Sequence, residues 1–239
     1  MRMGLLDAPA PLFAWLDGHL AAMLPPVLRL LLWGAAAGIV SMLLYRAISP
    51  QAAIARGKAE LLAARRELDR YDGRFEGAWP LMRRLLHVAL RQVGRTGWPG
   101  LLASLPVLFV LAWLSGAYGY GFPPPGSAPQ IHTMPTQYDT RWVDEPTPRI
   151  LVNQGERLVA DVRLEQPVPV VHKPRWWNLL LGNPAGYLPE DAAVDSIRID
   201  LPAKHYLAFG PDWMRGWAPS FFVALVIASL ALKVLARIE

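Results

Sequence analysis

Three runs of about 20 apolar residues limit what this chain can become more than any other feature. They extend from Pro26 to Tyr45, from Trp98 to about Tyr120 and from Trp217 to about Leu235. As helices rising ~1.5 Å per residue, each is long enough to cross a ~30 Å hydrocarbon core. Trp98, Tyr120 and Trp217 stand at run ends, where amphipathic rings favour the headgroup level. The second run holds Pro99 and Pro106, which suit a soluble helix poorly but are tolerated where neighbouring helices re-satisfy freed carbonyls. The first run starts late and lacks a basic leader and a small-residue cleavage site, so it reads as a span rather than a signal peptide.

The charges set the expected orientation. Between Arg46 and Arg95 eleven Lys/Arg face five acids, whereas residues 121–215 hold nine bases and eleven acids. The overall charge of +5 is therefore a local property, which argues for topology before nucleic acid, and no DNA partner is expected. The positive-inside rule places residues 1–25 outside, a first transmembrane helix at 26–46, and 47–97 in the cytoplasm. A second span at 98–120, an extracytoplasmic domain at 121–216 and a third span at 217–236 complete the layout. Arg2 is the one base before Arg29, and Lys233 and Arg237 close the last span. The expected location is the inner (plasma) membrane, multi-pass, with the N-terminus outside and the C-terminus cytoplasmic.

Within 47–97, Ile54, Gly57, Leu61, Ala64, Leu68, Tyr71 and Phe75 recur at spacings of three and four, the narrow seam of a coiled-coil helix. Gly73, Gly77 and Pro80 predict a break there. Met82, Leu86, Ala89 and Val93 then form a second stripe, with Arg83, Arg84 and Arg91 off it. An antiparallel helical hairpin follows. Its bases, Arg65, Arg66, Arg70, Arg83, Arg84 and Arg91, are docking candidates, either for anionic membrane lipids or for a negatively charged partner such as a ribosome or targeting factor.

Beyond the linker Phe122-Pro-Pro-Pro-Gly-Ser-Ala-Pro129, alternation at Ile150 and Val152, a turn at Asn153–Glu156, and alternation from Leu158 to Leu164 predict paired strands. Pro167–Val171 reads as an edge strand. Ile197, Ile199 and Leu201 read as another, with His205–Phe209 pairing to it. The expected fold class is thus an α-helical membrane protein with a small all-β extracytoplasmic domain, a sandwich or open barrel. Trp176 and Trp177 sit in an aromatic and aliphatic cluster that reads either as core or as an outer-interface anchor; Trp98 and Trp217 are the anchor candidates at span ends. The stretch Leu12–Leu20 reads as a second interfacial segment.

Nothing in the sequence asks for catalysis. There is no cysteine, the five histidines lack ligand spacing, and phosphate loops and hydrolase elbows are missing. Asp139, Asp144, Glu145, Asp191, Asp195 and Asp200 read as solvated acids. No enzyme activity, cofactor or metal is expected.

A span entering from outside, a basic hairpin, a return span and a later third span resemble the Oxa-type membrane insertase superfamily. The likeness is to its minimal three-span archaeal YidC-like type. It is carried by Ala63-Ala-Arg-Arg-Glu-Leu-Asp-Arg70, Leu81-Met-Arg-Arg-Leu-Leu86 and the Pro106–Trp113 run, and covers roughly residues 24–120 plus the last span. The resemblance implies an insertase or chaperone that offers client membrane proteins a polar groove open to cytoplasm and lipid. The groove candidates it implies are Arg29, as its basic residue, with Ser41, Ser104 and Ser229 as polar lining. Arg29, about one turn inside its span, reads equally as a base snorkelling to the outer headgroups. The β-rich insertion between the second and third spans departs from the family pattern. The alternative function is a non-catalytic envelope scaffold or accessory subunit that binds an envelope partner through that domain.

Overall fold

The computed structural model describes residues 4–144 and 146–236; Arg2, Glu145 and Arg237 lie outside them. In chain order the elements are α1 (Ala10–Ala21), α2 (Pro26–Ile48), α3 (Gln51–Asp69), α4 (Phe75–Tyr118), β1 (Ile131–Met134), β2 (Asp139–Val143) and β3 (Arg149–Gln154). There follow β4 (Arg157–Arg163), β5 (Val170–His172), β6 (Ser196–Ile199), α5 (Asp212–Arg215) and α6 (Trp217–Leu235). Helices α2, α4 and α6 are each long and apolar enough to cross a membrane. The chain divides into two compact units: residues up to Leu31 with Leu108–Phe221, and Leu32–Val107 with the residues from Phe222 onward.

The first unit holds an antiparallel β region. Its two three-stranded sheets have the orders β1-β6-β5 and β2-β3-β4. Ile150 and Val152 of β3, Val162 of β4, Val171 of β5 and Ile197 and Ile199 of β6 bury their side chains in one shared cluster. The alternation read from sequence is therefore the inward face of β3 and β6. The turn between β3 and β4 falls at Gly155, whose φ of +60° favours glycine. One strand departs from strict alternation. Val152 pairs with Ala160 but Asn153 with Leu158, so Val159 is an extra, bulged residue. As a result Leu158, expected inside, is 54% exposed, while Val159 packs against the core.

Other expectations need correcting. β5 is an edge strand, as its prolines required, but it begins only at Val170. β6 ends at Ile199, and His205–Phe209 forms no strand. Instead Ala203 bridges Tyr120, Gly121 N–H donates to Pro202 O (2.9 Å) and Lys204 N–H donates to Gly119 O (3.1 Å). That segment is thereby tied to the end of α4. Pro202 lacks the donor that would continue the ladder.

In the second unit α3 and α4 run antiparallel. Gln92 Nε2 donates to Ile54 O (3.2 Å), Arg95 lies 3.8 Å from Glu60, and Arg84 pairs with Glu67 at 2.6 Å. The α3 seam is the expected one as far as Leu68, with Ile54, Gly57 and Ala64 buried. It stops there: Tyr71 lies in the connection and Phe75 opens the next helix. The break spans only residues 70–74. Gly77 and Pro80 fall in the first two turns of α4, where one lost hydrogen bond near a fraying end interrupts little. From Phe75 the helix is continuous for 44 residues past Pro99 and Pro106, about 66 Å at ~1.5 Å per residue. On α4 the packed residues are Leu81, Leu85, Val88, Gln92, Arg95 and Pro99, buried or half-buried at intervals of three and four. Of the stripe expected to pack, Met82, Leu86 and Val93 are exposed instead and Ala89 is half-buried.

Helix α2 meets both other apolar helices in this unit. Ser41 Oγ donates to Ala103 O of α4 at 2.5 Å. On α6, a Cβ added to Gly38 would lie 2.7 Å from both Leu225 O and Ser229 Oγ. Only glycine allows backbones this close.

Candidate functional site

Two arrangements stand out, one in each unit. The first is built around Arg29. Its Nη1 lies 2.6 Å from Asp17 Oδ2, with side chains only 14% and 12% exposed. Tyr118 O–H donates to the other carboxylate oxygen at 2.6 Å, and the guanidinium lies 5.5 Å from the Tyr118 ring centroid. Tyr206 O–H donates to Tyr118 O at 2.9 Å. Trp113 packs edge-on to Tyr118, and Phe13 packs on Trp113. An acid from α1 and a base from the first turn of α2 thus neutralise one another away from water, and the last residue of α4 adds a charge-assisted hydrogen bond to the acid. Burial pushes the Tyr206 phenol up to about 12, against the pull of Arg29 and with a smaller push from Asp17. Arg29 Nε is buried without an acceptor. Arg29 is therefore an ion-paired latch residue.

The second arrangement is a face of α4. Phe75, Trp79, Met82, Leu86, Leu90 and Val93 recur at intervals of three and four, hence on one side of the helix, and all are exposed, Phe75 by 71% and Val93 by 64%. The face continues through Gly97 and Gly100, which have open space where a side chain would stand, to Ser104. Ser104 is half-buried and donates to Leu101 O one turn back (2.7 Å). Arg83 and Arg91 are exposed beside it.

The groove candidates are thus distributed. Arg29 belongs to the first unit; Ser41 and Ser229 sit at the contacts of α2 with α4 and α6; Ser104 lies on the open face of α4. The docking candidates Arg65, Arg66, Arg70, Arg83, Arg84 and Arg91 are all exposed on the α3–α4 pair. Arg84 is engaged with Glu67, and Arg65 lies 3.8 Å from Asp69. Among the described residues the other four make no ion pair. Of the tryptophans, Trp98 is exposed, Trp217 packs on Phe221, and Trp177 packs on His172. Trp176 is 80% exposed beside exposed Leu179, Leu180 and Leu181 in a single 3₁₀ turn and its continuation.

Sequence reasoning missed Asp17 and Tyr118 as partners of Arg29, and Tyr206 as a partner of Tyr118. The one available signal was Asp17 itself, the one acid in the largely apolar stretch Leu12–Leu20. Comparison with protein-family models, with curated proteins and with solved structures finds no match to this chain.

Proposed function

We propose that the chain is a multi-pass inner-membrane protein, N-terminus outside and C-terminus inside, that works as an Oxa-type insertase or chaperone for client membrane proteins. The observation that carries this reading is the open face of α4. A single helix presents six large apolar side chains on a basic, expected cytoplasmic hairpin and continues without a break into an apolar span. Covering such a side chain fully is worth ~1.5–3 kcal/mol. Six that are roughly half exposed offer a client helix on the order of 6 kcal/mol before the costs of association. The bases alongside favour anionic lipid headgroups. Beyond the hairpin, Gly97, Gly100 and Ser104 leave a narrow, partly polar strip where a hydrophilic client segment exposes less backbone to hydrocarbon.

Photo-crosslinkers placed at Leu90 and Ser104 in intact cells are expected to capture newly made membrane proteins. One at Ser41, which is engaged with Ala103, is expected to capture far fewer. Silence at both α4 positions with several clients, or equal capture at Ser41, refutes the reading. Orientation is checked separately. The chain has no cysteine, so one introduced at Leu68 is unique, and its labelling from the exterior alone would invert the layout.

One observation favours a second reading, that of an envelope scaffold. The β region carries a concavity of about 850 Å³ lined by β4 and residues 184–193, the size of a substantial ligand or peptide site. Under that reading Ala160→Arg abolishes co-purification of an envelope partner, and changes to the α4 face leave client insertion untouched.

A further inference from the structure

Within the first unit α1, the last two turns of α4 and the segments at Gln166–Pro167 and Asn183–Pro184 enclose a second cavity, of about 370 Å³. Its walls are made of small apolar groups, Ala14, Ala112, Gly116 and Pro167 among them. A Cβ built on Gly116 meets nothing within 4 Å, so the space there is real and a larger side chain would fill it. Trp113 forms one side.

The cavity has one acid, Asp7. Its Oδ2 accepts from Gly182 N (2.6 Å) and Gly4 N (3.1 Å). Leu6 N–H also donates to Leu180 O (2.9 Å). The N-terminal 3₁₀ turn (Leu5–Asp7) and the 180–182 segment are thus strapped together, and the carboxylate is fixed by backbone. Among the described residues no cation pairs with it. The exposed amide of Gln166 lines the same cavity. This is an apolar slot with one carboxylate fixed by two backbone N–H groups and ion-paired to none of the described residues, and a neutral hydrogen-bonding group.

We infer that this cavity holds one acyl chain of a phosphatidylethanolamine-type phospholipid, with the lipid's ammonium on Asp7. The volume lies near the lower end of the ~300–1,000 Å³ range of small-molecule sites, room for a chain rather than a whole lipid. The inference rests on the membrane placement proposed above, which puts the end of α4 at outer headgroup depth and Trp113, seven residues before Tyr120, ~10 Å deeper. Charge selects the headgroup. Asp7 attracts an ammonium and repels the net-anionic phosphatidylglycerol, while Gln166 offers a neutral donor to the adjoining phosphate.

The test uses the full chain in mild detergent, titrated with phosphatidylethanolamine or phosphatidylglycerol, with bound lipid counted by native mass spectrometry. The wild type should retain one phosphatidylethanolamine saturably and bind phosphatidylglycerol about tenfold more weakly. Gly116→Leu should lose the bound lipid without lowering the thermal midpoint, because the site is open and leucine is the better helix former. Asp7→Asn, which keeps one oxygen to accept from Gly182, should bring the two lipids to within about threefold of each other. Unchanged binding in Gly116→Leu, or equal affinity of the wild type for both lipids, overturns the assignment. Lost selectivity with client crosslinks intact at Leu90 and Ser104 sinks the lipid site alone. Saturable, selective lipid with no crosslinks sinks the insertase reading alone.

Discussion

Replacing Asp17 by Asn tests whether the Arg29 latch is an obligate charge pair. The amide oxygen still accepts from Tyr118, so the change removes the charge and little else. Arg29 is then left buried beside Tyr118 with no counter-ion at 2.6 Å. Removing one partner of a buried pair typically costs ~3–5 kcal/mol. The arginine stem can partly reorient toward polar surroundings, so the lower end, ~3 kcal/mol, is expected. At ~2–4 °C per kcal/mol for a chain of this size, that is a fall of roughly 6–12 °C in the unfolding midpoint. Arg29→Leu should cost a similar amount, because the Asp17 carboxylate loses its guanidinium partner. The double variant should cost less than either single change, because a buried pair replaced as a whole is often nearly neutral. Midpoints of the four proteins in one detergent complete the cycle, with an expected coupling of at least ~2 kcal/mol. If the double variant costs the sum of the singles, the two side chains do not stabilise one another and the latch is refuted.

Three further outcomes follow from the geometry. Gly38→Leu should lower the midpoint by an amount corresponding to ~1–3 kcal/mol, since its Cβ meets Leu225 O and Ser229 Oγ at 2.7 Å and α2 must move from α6; an unchanged midpoint refutes that contact. Gln92→Leu should stabilise the α3–α4 pair by about 1 kcal/mol, because Gln92 is a polar seam residue whose Oε1 is buried without a donor; thermal melts of the full chain read it. Tyr206 holds its proton up to about pH 12 when folded and only to ~10 when unfolded. Its contribution is therefore complete below pH 10 and lost between pH 10 and 12. Tyr206→Phe should flatten that part of the stability profile and delete a phenolate that forms near pH 12 from the absorbance titration.

Much of the architecture was legible because it rests on local pattern. The apolar runs, the α3 seam from Ile54 to Leu68 and the β3–β4 hairpin with its turn at Gly155 each need only neighbours in sequence. β1 and β2 escaped notice because Ile131–Met134 and Asp139–Val143 are short and mostly polar or half-exposed. They are strands by virtue of pairing with β6 and β3. The latch was illegible for a related reason: Tyr118 and Asp17 are 101 residues apart. Arg29 alone looked like a base with two possible roles, groove lining or snorkelling. A carboxylate delivered by α1 supplies a third.

Helix α4 shows where periodicity runs out. Its N-terminal half carries two apolar stripes at intervals of three and four: Leu81, Leu85 and Val88 on one side, and Phe75, Trp79, Met82, Leu86, Leu90 and Val93 on another. Hydrophobicity favours the second as the packed face, since its side chains are larger and more numerous. What selects the first is polar and steric detail. Gly57 on α3 leaves room beside Gln92, Gln92 donates to Ile54 O, and Arg95 reaches Ala53 O (3.5 Å) and Glu60. A seam that mixes Ile54, Leu81, Leu85 and Val88 with a glycine, a glutamine and an arginine buries less apolar surface than the larger stripe would. A chain selected only for a stable hairpin would have packed the larger stripe. Keeping that stripe outside, on the helix that leads into the apolar span, forgoes stability in favour of an open apolar face, and that preference is the physical content of the insertase reading.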